Sequence, residues 1–160
     1  MRLSGRVAGA ASGERVVLER RRHGEPGLSA FASVTTTTGG VWSVLLHPRI
    51  RTVYAARVGD ARTSPVTVEV RPRVGLSVRD EAFLVKVVAA RSYEGKYVVL
   101  QRLGAGGAWV TLRRAYLGRP PKHLGTDIPA GESRVRAFLP AGQAGPGYVA
   151  SLSREITFER

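Results

Sequence analysis

The chain has 160 residues, with 25 Lys and Arg against 12 Asp and Glu, three His, no Cys and no Asn, and a formal charge of +13. At 43% hydrophobic and 7% aromatic it has the composition of a folded globular protein with room for one large or two small domains. Disulfides, Cys-based zinc sites and N-glycosylation are excluded, and the longest apolar stretches, such as residues 41–46 and 87–90, fall far short of the ~18 residues a membrane-spanning helix needs.

In chain order, the first half predicts strands at residues 3–8, 15–20, 29–35, 41–46, 52–58 and 64–70. The second half predicts strands at 74–78, 83–89, 96–102, 109–115, 123–128, 134–139 and 148–159. The period is two: Trp42, Val44 and Leu46 alternate with Val41, Ser43 and Leu45, and Val66, Val68 and Val70 alternate with Thr67 and Glu69. Gly and Pro clusters at 24–27, 39–40, 47–48, 59–60, 104–107 and 119–121 separate the runs, and no twelve-residue stretch carries a helical stripe.

The halves also resemble each other. Gly13-Glu14-Arg15-Val16-Val17-Leu18-Glu19-Arg20 returns as Gly95-Lys96-Tyr97-Val98-Val99-Leu100-Gln101-Arg102, and the same offset, without a gap, aligns Trp42 with Leu124, Val53 with Val135 and Ala55 with Ala137. Val66-Thr67-Val68-Glu69 matches Ile156-Thr157-Phe158-Glu159 once residues 140–147 are taken as an insertion. That insertion has only Gln143 among Gly, Ala and Pro, and reads as an exposed, mobile loop. The expected architecture is therefore all-β: two tandem immunoglobulin-like antiparallel β-sandwiches, residues 1–72 and 73–160. Pro72 in the short junction stiffens it, so the expected arrangement is end to end.

Subtracting the repeat offset from residues 74–78 places their counterpart before Met1, so the first sandwich is expected to lack its opening strand and the chain to be a fragment of a longer one. The start itself has no apolar core of a signal peptide.

The motif Gly13-Glu-x-Val-x-Leu-x-Arg20, followed by Thr36-Thr-Thr-Gly-Gly-Val-Trp42, Pro48, Thr52-Val-Tyr54 and Val66-Thr-Val-Glu-Val-Arg-Pro-Arg-Val74, resembles the bacterial immunoglobulin-like (fibronectin-type) repeats of actinobacterial secreted and surface proteins. The second copy departs from it, with Arg136 aligned to Tyr54 and Pro121-Lys-His-Leu124 to the Gly-Gly-Val-Trp turn. The resemblance implies an extracellular or cell-surface sandwich serving as spacer, stalk or adhesive module.

The charge is 22 Arg to 3 Lys, which reads first as the codon bias of a GC-rich genome. It is spread evenly, net +6 up to Pro72 and +7 beyond it, unlike a basic tail or a single dense helix. Two denser clusters stand out: Arg20, Arg21 and Arg22, and Arg113 and Arg114 followed by Arg119 and Lys122, the second flanked by Trp109 and Tyr116. Arg beside aromatic rings suits stacking on bases or sugars while pairing with anions, and charges on edge strands also block edge-to-edge aggregation.

Catalytic and metal motifs are absent from the sequence. His23, His47 and His123 are far apart, Gly104-Ala-Gly-Gly107 leads into a strand where a phosphate-cradling loop needs a helix, and Asp80-Glu81 is an isolated acidic pair at a turn. The threonines at 35–38 close a strand. No cofactor and no metal are expected. The leading expectation is a non-enzymatic structural or adhesive module that spaces or presents domains, with a protein or anionic polymer as partner and further repeats in a longer parent chain. The alternatives are a polyanion-binding module for wall polymer, sulfated glycan or nucleic acid, and an accessory domain of an extracellular enzyme.

Overall fold

The structure is a computed structural model and describes residues 1–9, 12–79, 82–118, 128 and 131–159. Nearly all the regular structure is antiparallel strand, and the chain divides into two compact units, Met1–Val70 and Arg71–Arg160. Among the described residues no helix is long and apolar enough to cross a membrane.

The first unit contains β1 (Arg2–Arg6), β2 (Arg15–Arg22), β3 (Ser29–Thr35), β4 (Val41–Leu45), β5 (Thr52–Val58), β6 (Ala61–Arg62) and β7 (Val66–Val68). One sheet runs β3-β2-β5, with β6 and β7 sharing the far side of β5, and the other is the pair β1-β4. Alternation decides what is buried: Val16 and Leu18 on β2 have no exposed surface, and with Trp42 of β4 and Ala56 of β5 they form the core, ringed by Leu3, Val7, Phe31 and Val44. Each such aliphatic side chain contributes about 1.5–3 kcal/mol. Trp42 lies across β1 so closely that a Cβ on Gly5, its ladder partner, would sit 2.7 Å from the ring. Glycine is therefore what lets the indole reach the core.

The second unit contains β8 (Arg73–Arg79), β9 (Ala82–Val88), β10 (Tyr97–Leu103), β11 (Trp109–Tyr116), β12 (Glu132–Leu139), the single turn α1 (Ala141–Ala144), β13 (Ser151–Leu152) and β14 (Ile156–Glu159). Its larger sheet runs β11-β10-β12 with β13 and β14 sharing the far side of β12, and its smaller sheet is β8-β9. Val98, Leu100, Val135, Ala137, Leu139 and Ile128 are buried, and β8 packs across β12, β13 and β14. Pro72 is buried too, and its carbonyl accepts a hydrogen bond from Ser151 Oγ at 2.6 Å.

The pairings of the two larger sheets correspond, with one correction to the ungapped alignment. A register irregularity follows Leu18 in the β2–β3 ladder and Leu100 in the β10–β11 ladder. Leu18 stands opposite Ala56, however, while Leu100 stands opposite Ala137, so β5 and β12 match one residue out of step with that alignment. Because side chains alternate, one residue changes the face. Val53 therefore shares the outer face with Arg21, whereas Val135, its partner in the ungapped alignment, is fully buried.

Predicted strand 64–70 is shortened to β7, and predicted strand 148–159 is broken into β13 and β14. In each unit a hydroxyl side chain takes a place in the ladder ahead of the last strand. Thr63 N–H donates to the Ala56 carbonyl while Ala56 N–H donates to Thr63 Oγ1, and Ser153 does the same with Ala137. The chain then resumes pairing as β7 or β14. Most of predicted strand 123–128 lies outside the described residues.

The insertion at 140–147 is exposed at Ala141, Gly142 and Pro146, as expected, but it is anchored at its other residues. It makes the turn α1, Ala144 is fully buried, its carbonyl accepts the Tyr93 hydroxyl at 3.1 Å, and Gln143 Oε1 accepts the Tyr97 N–H at 3.2 Å. Burial pushes the Tyr93 hydroxyl above the ordinary tyrosine range, reinforced by Tyr148 and opposed by Arg91. The segment lacks bulky groups, but polar anchors from neighbouring residues replace them.

Candidate functional site

Strand alternation gives the β11-β10-β12 sheet an inner face of mainly aliphatic groups, with Arg102 and Arg113 among them, and an outer face of a different kind. On the outer face, Tyr97 and Val99 of β10 stand beside Tyr116 and Arg114 of β11, and Val99 and Gln101 stand beside Phe138 and Arg136 of β12. Trp109 joins them at the end of β11, opposite Leu103.

The arginines of this face are held by rings. The Arg114 guanidinium lies 4.7 Å from the centre of the Tyr97 ring, which meets Tyr116 edge-on at 5.8 Å. Arg136 reaches across β10, donates from Nε to Gln101 Oε1 at 2.9 Å and places its guanidinium 4.0 Å from the centre of the Trp109 ring. Two neighbouring strand spacings put the backbones of β11 and β12 about 10 Å apart. Among the described residues no carboxylate lies within ion-pair distance of Arg114 or Arg136, whereas Arg134, further along β12, is paired with Glu155.

This arrangement prepares a guanidinium for an anion. Stacking dries one face of the plane and fixes its direction, leaving N–H donors at the rim, each fork matched to a carboxylate, sulfate or phosphate. The aromatic edges between them offer apolar area to a sugar or base.

Three of the residues expected from sequence meet here: Trp109, Arg114 and Tyr116. Arg113 does not, which corrects its grouping with Arg114: as an adjacent strand residue it points to the opposite face, pairing with Leu100 and lying 6.0 Å from the centre of the Phe83 ring. Arg119 and Lys122 lie outside the described residues, as do Asp80, Glu81, His123 and Asp127. The cluster Arg20, Arg21 and Arg22 of the first unit is divided for the same reason: Arg20 stacks over Phe31 at 4.8 Å, Arg21 points to the other face, and Arg22 pairs with Glu25. His23 Nδ1 contacts the Arg51 guanidinium at 2.8 Å.

Tyr97, Gln101, Phe138 and Arg136 are not among the residues that the sequence marks for binding. Their signal is alternation across three strands, legible only once the register is known. Comparison with family models, curated proteins and solved structures gives no match to this chain.

Proposed function

We propose that the chain is a non-enzymatic binding module of a surface or secreted protein, built of two copies of one immunoglobulin-like sandwich, and that its second unit binds an anionic polymer on the outer face of β11-β10-β12. The observation that carries this reading is the pair of ring-stacked arginines, Arg114 and Arg136, exposed or half-exposed on a sheet face without a neighbouring acid among the described residues. The matched register irregularities and the Thr63 and Ser153 ladder insertions support the two-copy reading. In a longer protein such a module adheres to the polymer and spaces its neighbours.

The test is retention on heparin and on duplex DNA at about 150 mM salt, where a diffuse positive charge is largely screened. Arg114→Ala with Arg136→Ala should reduce retention far more than Arg2→Ala with Arg154→Ala, an equal loss of charge. Equal losses from the two pairs would leave only the diffuse attraction, and the binding face would fall. Stronger retention on heparin would favour a sulfated glycan, and stronger retention on DNA a nucleic acid.

A further inference from the structure

Among the described residues β1 pairs on one side alone. The Met1 ammonium donates to the Leu46 carbonyl while the Met1 carbonyl accepts from Leu46 N–H, and Val7 N–H donates to the Gly40 carbonyl. In an antiparallel ladder the residues between these turn their backbone groups the other way. The N–H and C=O of Arg2, Ser4 and Arg6 therefore line an open edge, and their side chains are exposed.

The second unit shows what fits beside such an edge. On the two-copy reading, on which this inference rests, β1 corresponds to β9, and β9 is paired with β8 in the register Arg73↔Val88, Gly75↔Lys86 and Ser77↔Leu84. β8 turns Val74, Leu76 and Val78 inward, so it closes both the edge and the apolar space beneath. Among the described residues no strand of the first unit pairs with this edge of β1, and the matching inner surface is correspondingly open. Val66, beside Tyr54 on the inner face, is 51% exposed, whereas Ile156, which holds its place in the second unit, is half-buried.

We propose that the free edge of β1 binds an extended segment of a partner polypeptide that adds antiparallel to it, with apolar residues at three alternate positions and acidic residues opposite Arg2 and Arg6. The apolar spacing is that of β8, and the acids answer the two exposed arginines. A second copy of this chain is a poor occupant: antiparallel pairing of two β1 strands centred on Ser4 sets Arg2 against Arg6 twice, and like charges directly opposite destabilise a ladder. Strand addition of this kind draws its affinity from main-chain hydrogen bonds and its selectivity from alternate side chains.

The probe is the labelled peptide Glu-Val-Gly-Leu-Glu-Val-Arg, titrated into the full chain and followed by fluorescence anisotropy. Saturable binding is expected, weakened at least tenfold by N-methylation of the backbone amides that face β1 and abolished when the sequence is scrambled to remove the alternation. Ser4→Pro removes a donor from the open edge and none from the β1–β4 ladder, so it should abolish peptide binding with the fold intact by circular dichroism. Arg2→Glu with Arg6→Glu gives a second reading, reversing the preference towards a peptide with Lys in place of both Glu. Heparin retention should be unchanged by Ser4→Pro, which separates failure here from failure of the anion-binding face. Equal binding of parent, scrambled and N-methylated peptides would overturn the proposal, as would concentration-dependent dimerisation that Ser4→Pro abolishes, because it would assign the edge to a second copy.

Discussion

The outer faces of the two larger sheets solve the same electrostatic problem in opposite ways. In the first unit Glu19, only 6% exposed, is gripped by two arginines: Arg62 donates to Oε1 at 2.9 Å and holds Nε 2.8 Å from Oε2, and Arg57 Nε lies 3.6 Å from Oε1. The corresponding ladder positions of the second unit hold Gln101, Phe138 and Leu152, and Arg136 stands where the first unit has Ala55. One face spends its guanidinium groups on an internal acid. The other has Gln101 in that place, and its arginines rest on aromatic rings, with Arg136 giving only its Nε donor to Gln101. Net charge is almost equal in the two halves, so the difference lies in which charges are already paired.

The comparison can be broken most forcefully at Glu19. Glu19→Gln, which installs the residue of the second unit, should destabilise the first unit by about 2 kcal/mol, reduced from a fully buried pair because Arg57 and Arg62 keep access to water. Differential scanning calorimetry would read this as a lowered midpoint, with heparin retention rising as two arginines are released. The reverse exchange, Gln101→Glu, should give Arg136 an internal partner and cut polymer affinity about tenfold at fixed salt, without loss of stability. A smaller change is expected from Trp109→Ala: loss of the stack should cost about 0.5–1 kcal/mol of binding while leaving the slope of affinity against salt unaltered, because no charge is removed.

The smallest effect is one of pH. Tyr93 is held neutral by burial, so its stabilising contribution is fully present below its unfolded value of about 10 and is lost as pH rises towards the higher folded value. Stability of the second unit should fall above about pH 10, and Tyr93→Phe should flatten that decline while removing one hydrogen bond, about 1 kcal/mol at neutral pH. An unchanged alkaline slope in the variant would locate the effect elsewhere.

Much of the fold was legible in the alternation of Val16 with Leu18, Val98 with Leu100, and Trp42 with Val44, because a half-buried strand writes its burial into the sequence with period two. The breaks at Thr63 and Ser153 were not, since a hydroxyl standing in for a backbone partner leaves no hydropathic trace. The site was half legible. Trp109, Arg114 and Tyr116 lie on one strand and could be read together, but Tyr97 and Arg136 join them through register, and the ungapped alignment of Val53 with Val135 had the register wrong by one. Adjacent arginines mislead for a related reason: Arg113 and Arg114 are neighbours in sequence and face opposite ways in a strand.

The indole seated over Gly5 has an optical consequence. The chain has two tryptophans, one in each unit: Trp42 is buried in an aliphatic core, and Trp109 is partly exposed beneath a guanidinium. Trp42 should emit towards the blue and shift to the red when the first unit melts, whereas Trp109 should respond to acrylamide and to anything that lifts Arg136 from its ring. A single emission spectrum thus carries two reporters, and replacing either indole by phenylalanine leaves one sandwich dark while the other is watched.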